Sequence, residues 1–168
     1  MTHVSKNSGN NEWYTPAQYV ESARKVMGSI DVDPASNDIA QATVNAETYW
    51  TKESNGLDKY WSGNVWMNPP YSANLIKLFC SRLVFFTRLG AVRQFVTLTN
   101  NATETSWFNE IASVSSVYCF TRGRVKFLDP LGNPGAPLQG QAFCYFGPNS
   151  SEFVEEFSKY GWCSYARA

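Results

Sequence analysis

Residues 64–99 read NVWMNPPYSANLIKLFCSRLVFFTRLGAVRQFVTLT and decide the fold. The mostly apolar run at 64–67 predicts a short buried strand, and the apolar spacing at 75–86 predicts a helix that Ser72 caps. Residues 91–99 are again mostly apolar, which predicts a second buried strand. A strand, a helix and a strand in this order form a βαβ unit, in which the two strands run parallel.

Strand and helix patterns also alternate on both sides of this unit. Thr15 is a hydroxyl residue followed by Pro16, which predicts a helix start, and Gly28 predicts the end of that helix. The remaining predicted elements are strands at 29–33, 114–120, 125–127 and 142–146 and helices at 36–50, 104–112 and 151–160. Such alternation predicts an α/β fold with a mostly parallel sheet, helices on both faces and a late antiparallel edge.

Length and composition fit one domain. The chain has 168 residues, of which 17% are charged and 15% aromatic, and this predicts a single folded domain over residues 12–168. Residues 1–11 are polar and predict a flexible tail instead of a secretory signal. No apolar run is long enough to span a membrane. Four scattered cysteines without a secretory signal predict a cytoplasmic protein.

Histidine and cysteine exclude several kinds of site. The single histidine, His3, lies in the predicted tail, which excludes a Ser-His-Asp triad and metal sites that need a core histidine. No CxxC pair is present, so we expect no metal centre and reduced, buried thiols. The four cysteines are Cys80, Cys119, Cys144 and Cys163.

Charge is distributed unevenly along the chain. The 14 basic and 14 acidic residues give a net charge of zero, which argues against a strongly basic nucleic-acid binder. Residues 77–126, however, contain seven basic and two acidic residues, a net charge of +5. This segment predicts either a local phosphate-binding face or charges spread over the surface, and the sequence leaves both open.

The first strand of the βαβ unit ends at Asn68-Pro69-Pro70-Tyr71, where open α/β sheets bind their ligands. The two prolines stiffen the chain and lack N–H donors but keep their carbonyl acceptors. Asn68 adds an amide oxygen, and Tyr71 adds a flat ring. The motif predicts a rigid group of acceptors beside a stacking surface, suited to a planar amine or amide; a proline-rich turn is the alternative. A second polar segment, residues 33–36, follows the strand predicted at 29–33.

The motif resembles the catalytic motif of amino-methyltransferases that use S-adenosylmethionine. Further segments, in order from residue 12 to 148, resemble the phage family of DNA adenine methyltransferases (Dam-like). The matching segments are residues 12–16, 31–36, 55–57 with Trp61, 65–72, 103–108, 122–127 and 135–137. Several segments in the same order are more specific than any one of them.

The resemblance implies a compact, trimmed Rossmann-like methyltransferase fold with S-adenosyl-L-methionine as cofactor. The catalytic residues that it implies are Asn68, Pro69, Pro70 and Tyr71. The cofactor-binding residues that it implies are Tyr14, Thr15, Pro16, Asp33, Pro34, Ala35, Ser36, Leu57 and Asn68. The DNA-binding residues predicted beside them are Ser72, Arg122, Arg124 and Lys126. The three basic residues of this last group also fit an ordinary exposed strand edge.

These matches predict a site-specific DNA methyltransferase that acts on the exocyclic amine of adenine. The target base would be flipped out of duplex DNA, because its amine is hydrogen-bonded inside the helix. A phage-encoded enzyme of this kind would act in the host cytoplasm. The motif alone also fits methylation of RNA adenine or of a protein glutamine amide. A catalytically silent DNA-binding relative is a further alternative, because the segment after Asp33 lacks a Gly-rich loop.

Overall fold

A computed structural model describes residues 12–72, 74–136 and 138–167, and the predicted tail (residues 1–11) lies outside the described residues. The helices are α1 (Ala17–Met27), α2 (Asp38–Val44), α3 (Leu75–Arg88), α4 (Ser106–Ala112) and α5 (Ser150–Phe157). The strands are β1 (Val32–Asp33), β2 (Thr48–Tyr49), β3 (Gly63–Met67), β4 (Val92–Asn100), β5 (Val117–Thr121), β6 (Gln141–Phe146) and β7 (Gly161–Tyr165). A single turn of 3-10 helix covers Gly56–Asp58.

The βαβ unit predicted from residues 64–99 is confirmed. β3 and β4 pair in parallel, with Met67 opposite Thr97, and α3 joins them. α3 begins at Leu75, and the position before it is taken by Asn74 in the left-handed conformation (φ 66°). Ser72 is therefore not the cap of this helix.

The strands of the described chain form one sheet, in the order β2-β1-β3-β4-β6-β5-β7. The first three pairings are parallel and the last three are antiparallel, so the sheet is mixed and the prediction of a mostly parallel sheet is wrong. In the described part of the segment 122–140, no helix separates β5 from β6, so the chain turns back and the two strands pair antiparallel. β7, which the sequence patterns do not predict, pairs with the other side of β5.

Three local predictions are also corrected. Pro16 is the N-terminal cap residue of α1 and no side chain caps the helix, so Thr15 does not serve this purpose. The helix predicted at 36–50 is divided into α2, which is capped by the Asn37 side chain, and the short strand β2. Residues 125–127 lie in a loop and not in a strand.

Helices cover both faces of the sheet, as predicted. α1 and α5 pack on one face in a cluster that includes Trp66, and α3 and α4 pack on the other face in a cluster that includes Val65 and Met67. Successive side chains of a strand point to opposite faces, so the apolar run in β3 contributes to both cores. Within the described ranges, none of the helices combines the length and apolar character needed to cross a membrane.

Candidate active site

Polar residues of the predicted site lie where parallel strands end, at one edge of the sheet. Asp33 is the last residue of β1, Asn68 comes directly after β3, and Asn100 is the last residue of β4. β5 runs in the same direction as β4, because both are antiparallel to β6, so Arg122 also lies at this edge. The fold therefore brings the predicted catalytic, cofactor and DNA-binding segments to the same side of the sheet.

The Asn68 side chain is tied to the segment that precedes α1. Its Nδ2 donates a hydrogen bond of 3.2 Å to Oγ1 of Thr15, which is only 9% exposed. Asn68 is itself half-buried, and the following Pro69 is buried. Because this bond uses the amide nitrogen, the amide oxygen Oδ1 is the acceptor that Asn68 can offer to a ligand.

Tyr71 is held at its hydroxyl end and open along its ring. The backbone N–H of Asn100 donates a hydrogen bond of 2.5 Å to the Tyr71 hydroxyl. The ring meets the buried Trp107 edge-on, with centroids 6.1 Å apart, yet Tyr71 remains 41% exposed. Burial raises the pKa of Tyr71 well above its usual value, so the phenol stays neutral. Tyr71 thus offers part of a fixed, uncharged aromatic ring to a ligand.

The hydrogen bond between Asn100 and Tyr71 is itself supported by the antiparallel half of the sheet. Nε2 of Gln141, the first residue of β6, donates a hydrogen bond of 2.6 Å to Oδ1 of Asn100. The N–H of the next residue, Asn101, bonds to the Gly140 carbonyl at 3.1 Å. The position of Tyr71 therefore depends on the junction between β4 and the end of the long loop before β6.

Asp33 is a buried carboxylate with neutral partners. It is 3% exposed, and it accepts hydrogen bonds from Nε2 of Gln41 (3.0 Å) and from the N–H of Ala35 (3.3 Å). No lysine or arginine of the described ranges forms a salt bridge with it. Burial raises the pKa of Asp33 to about 6, and hydrogen bonds from Ser36, Ala35 and Gln41 oppose this effect only in part. A positively charged ligand would stabilise such a carboxylate.

A tight turn packs directly on the segment that follows β1. A Cβ atom at Gly56 would lie 2.0 Å from the carbonyl oxygen of Pro34, so the backbones approach too closely for any larger residue. On its other side, the turn is fixed by the buried Trp61, whose Nε1 donates a 2.8 Å hydrogen bond to the Gly56 carbonyl. Leu57, a predicted cofactor residue, is thereby brought to the 33–36 segment.

Tyr14 connects three parts of the chain. Its hydroxyl accepts a hydrogen bond of 3.4 Å from Nδ2 of Asn37 and donates one of 2.8 Å to Glu12. Its backbone N–H and carbonyl both pair with Leu128, at 2.8 Å each. The predicted cofactor segment 14–16 is thus joined to Asn37, directly after the segment 33–36, and the Thr15–Asn68 bond joins it to the catalytic motif.

The long loop between β5 and β6 lies against the same region. A Cβ atom at Gly135 would come within 2.4 Å of the Trp13 ring, so the loop backbone rests on this side chain. Within the loop, Oδ1 of Asp129 accepts hydrogen bonds from the N–H groups of Leu131 (2.9 Å) and Asn133 (2.8 Å). These bonds shape a turn whose tip, Leu131, is 87% exposed.

The predicted DNA-binding residues are exposed near this edge. Ser72 follows Tyr71, and Arg122, Arg124 and Lys126 are exposed while the intervening Val125 is buried. The rest of the net-positive segment lies elsewhere. For example, Arg93 stands at the start of β4, at the opposite edge, and pairs with Asp31 at 3.5 Å. Only part of residues 77–126 therefore faces the candidate site.

Four polar residues of the site escape sequence reasoning. Asn37 and Gln41 lie inside the segment that the sequence predicts to be one long helix, which hides their contacts with Tyr14 and Asp33. Asn100 and Gln141 lie at strand ends on the ligand-binding edge. A polar side chain at the end of a predicted parallel strand is the signal that could have identified Asn100.

The described residues contain no group of three or more histidine, cysteine, aspartate or glutamate side chains that could hold a metal ion. All four cysteines are free thiols. Burial is confirmed for Cys80, Cys119 and Cys144, whereas Cys163 on the outer strand β7 is half-buried. The candidate site is thus built from amides, hydroxyls, the buried carboxylate of Asp33 and aromatic rings.

Comparison with known proteins agrees with this geometry. A search of curated proteins finds no match to the chain. The model of the DNA N-6-adenine-methyltransferase (Dam) family, in contrast, matches residues 2–141, which is most of the chain and includes the motif at 68–71. The resemblance seen in the sequence is therefore confirmed, and the chain belongs to the DNA N-6-adenine-methyltransferase (Dam) family.

Proposed function

We propose that the chain is a site-specific methyltransferase that moves a methyl group from S-adenosylmethionine to the exocyclic amine of adenine in DNA. Membership of the Dam family supports adenine methylation in general. The observation that carries the specific proposal is the placement of Asn68, the exposed Tyr71 and the buried carboxylate of Asp33 at the same edge of the sheet, where the paired parallel strands β1 and β3 end.

Asn68 and Pro69 are proposed to bind the amine. An aromatic amine is a poor nucleophile, because its lone pair is delocalised into the ring. If the oxygens of Asn68 and of the Pro69 carbonyl accept its two N–H groups, the lone pair is localised and directed out of the ring plane. Catalysis is then mainly the alignment of the amine with the methyl group, and such positioning can contribute about 7–11 kcal/mol.

Tyr71 is proposed to stack on the adenine ring. Stacking of a base on an aromatic side chain contributes about 1–3 kcal/mol. The part of the ring that is exposed is available to a base, and the Asn100 hydrogen bond holds the ring in place before the base arrives. The neutral state of the phenol avoids placing a negative charge next to the electron-rich base.

The residues of the site also fit the proposed cofactor. When bound, S-adenosylmethionine supplies a methyl group on a positively charged sulfonium, and its methionine part carries an ammonium group. Asp33 is buried without a basic partner in the described chain, which suits a site for a positively charged group. The neighbouring segments at 14–16, 33–36 and 57 are proposed to border the cofactor, with Asn68 at the junction.

DNA is proposed to bind across the same edge. The target adenine has to leave the duplex to reach the site, since its amine is otherwise paired. Arg122, Arg124 and Lys126 are proposed to contact phosphates, and Ser72 is proposed to lie near the flipped nucleotide. The loop at 128–136, which rests on the Trp13–Tyr14 segment, is proposed to take part in recognition of the DNA sequence.

The proposed fold is a trimmed version of the Rossmann-like methyltransferase fold. β2, β1, β3 and β4 are parallel, and their carboxyl ends carry the proposed ligand residues, as in other open α/β sheets. The mixed sheet and the helices on both faces are compatible with this proposal.

The proposal is tested by incubating the chain with methyl-labelled S-adenosylmethionine and one acceptor at a time. The acceptors are duplex DNA free of methylated adenine, RNA of matching sequence, and a mixture of proteins with accessible glutamines. After digestion, mass spectrometry should identify N6-methyladenine from DNA as the main product. Label found in RNA or in glutamine would identify RNA or protein as the substrate in place of DNA. Binding of DNA without transfer to any acceptor would favour a catalytically silent relative.

A further inference from the structure

We propose that Thr15 is a positioning residue for methyl transfer, which acts by accepting a hydrogen bond from the Asn68 amide in its productive orientation. This inference rests on the proposed function. It assigns Thr15 a role through Asn68, in place of the direct cofactor contact that the family resemblance implies for this residue.

The two ends of the Asn68 amide differ in chemistry but not in size. Oδ1 is an acceptor, and Nδ2 is a donor of two hydrogens. An exocyclic amine presents two N–H donors, so only the acceptor Oδ1 can bind it. If Nδ2 faced the amine instead, two hydrogen-bond donors would face each other. The productive orientation therefore turns Nδ2 away from the substrate, where it needs an acceptor of its own.

Thr15 supplies that acceptor. Its Oγ1 lies 3.2 Å from Nδ2 of Asn68, and Thr15 is almost fully buried. A hydroxyl in this sequence position would usually cap the helix that follows, but α1 has no side-chain cap and the Thr15 hydroxyl is turned to Asn68 instead. If this acceptor were absent, the productive orientation would leave a partly buried N–H without a partner, which is unfavourable.

Thr15 is also held from both sides along the chain. The preceding residue, Tyr14, forms two backbone hydrogen bonds with Leu128, at 2.8 Å each. The following residue, Pro16, has a fixed φ and restricts the conformation of Thr15. The hydroxyl is thus presented to Asn68 by a stiff segment, which suits a positioning role.

The test compares Thr15→Val, which keeps the shape but removes the acceptor, with Thr15→Ser, which keeps the hydroxyl. Thr15→Val should lower the single-turnover rate of methyl transfer by about tenfold, the usual effect of an unpaired buried N–H. Thr15→Ser should stay within about twofold of wild type, and both variants should keep the cofactor affinity measured by calorimetry. Thr87→Val is the matched control, because Thr87 is also buried but bonds within α3 to the Leu83 carbonyl.

A second measurement does not depend on activity. The side-chain amide signals of Asn68 in a nitrogen-15 NMR spectrum, assigned by their loss in Asn68→Ala, should move in Thr15→Val and stay near their wild-type positions in Thr15→Ser. If Thr15→Val does not fold, the same rate, affinity and NMR measurements on Thr15→Ala decide the question.

Two results would overturn the inference. One is a Thr15→Val rate equal to that of wild type, whether or not the Asn68 signals move. The other is a loss of cofactor affinity as large as the loss of rate, which would make Thr15 a cofactor contact. If wild type methylates no adenine, the proposed function fails whatever Thr15 does; if wild type is active and Thr15→Val is unimpaired, only the role of Thr15 fails.

Discussion

The backbone amide of Asn100 donates a hydrogen bond to the Tyr71 hydroxyl, so the end of β4 holds the last residue of the proline motif. The hydroxyl is engaged while part of the ring remains open to solvent. A ring fixed in this way loses little conformational freedom when a base stacks on it, which favours binding. The two functions of Tyr71, anchoring and stacking, can therefore be separated by substitution.

Tyr71→Ala should weaken DNA binding and slow methyl transfer, because it removes the proposed stacking surface, which contributes about 1–3 kcal/mol. Tyr71→Phe keeps the ring but loses the Asn100 hydrogen bond. Its effect on DNA binding and methyl transfer should therefore be smaller, about 1 kcal/mol. The measurement is KM for DNA and the single-turnover rate of each variant. Tyr165→Ala, at the end of β7 on the opposite edge of the sheet, is the control. Equal loss of activity in Tyr71→Phe and Tyr71→Ala would show that the hydroxyl matters and the ring does not.

The buried Asp33 should make the stability of the free protein depend on pH. Burial raises its pKa from 3.8 to about 6 in the folded state, so the folded state binds a proton more tightly than the unfolded state. The contribution of Asp33 to the free energy of unfolding should therefore fall as pH rises from 4 to above 6, by about 3 kcal/mol in all. Urea denaturation of wild type and Asp33→Asn at several pH values isolates this contribution. A difference between the two proteins that stays constant with pH would contradict it.

The same carboxylate should make cofactor binding depend on pH in the opposite direction. A positively charged ligand pairs with the ionised form of Asp33, so affinity should rise with pH and level off above the pKa of about 6. Calorimetry with S-adenosylmethionine should give an affinity about tenfold lower at pH 5 than at pH 8 in wild type. This dependence should disappear in Asp33→Asn, whose binding should be weak at every pH. If the variant binds as tightly as wild type, Asp33 is not the partner of the charged group.

Gly56→Ala should destabilise the fold near the cofactor segment. The new methyl group would lie 2.0 Å from the Pro34 carbonyl oxygen, so one backbone has to move. Such overpacking costs about 1–3 kcal/mol, and it should also lower cofactor affinity. Gly123→Ala is the matched control, because nothing lies within 4 Å of its added Cβ. Thermal denaturation should give a lower melting temperature for Gly56→Ala than for Gly123→Ala. Equal melting temperatures would show that the turn can accommodate the methyl group without loss of stability.

The basic run after β5 should contribute to the salt dependence of DNA binding. If Lys126 contacts a phosphate, Lys126→Ala should reduce the slope of log K against log salt by about one. Arg93→Ala, at the opposite edge of the sheet, should leave the slope unchanged. The slopes are measured by titrating labelled duplex DNA at several salt concentrations. Equal slopes for wild type and Lys126→Ala would assign Lys126 to an ordinary exposed surface.

The sequence predicts the parts of this fold that depend on neighbouring residues. The β3-α3-β4 unit follows from apolar spacing alone, and the proline motif marks the end of β3. The late antiparallel edge is predicted, but its pairing is not, because β6 pairs with β4 through residues such as Asn100 and Gln141, which are 41 positions apart along the chain, and local patterns do not contain such contacts. β7 was missed because its exposed and half-buried residues do not form an apolar run.

In the candidate site too, the sequence predicts single residues but not the contacts between distant parts of the chain. Asn68, Tyr71 and Asp33 could be selected from their types and their places after predicted strands. Thr15 could be selected only in part, because a hydroxyl before proline predicts a helix cap as well as any other contact. Its bond to Asn68 joins residues 53 positions apart and is visible only in three dimensions.

The most direct test of adenine methylation at this site is the single-turnover yield of N6-methyladenine by wild type and Asn68→Ala on the same duplex DNA. Both are measured at saturating cofactor, with cofactor affinity determined in parallel. Asn68→Ala should keep its cofactor affinity and transfer the methyl group about a hundredfold more slowly, because one positioned acceptor is lost. A folded Asn68→Ala variant that produces N6-methyladenine at the wild-type rate would show that residues 68–71 are a structural turn and that the amine is bound elsewhere.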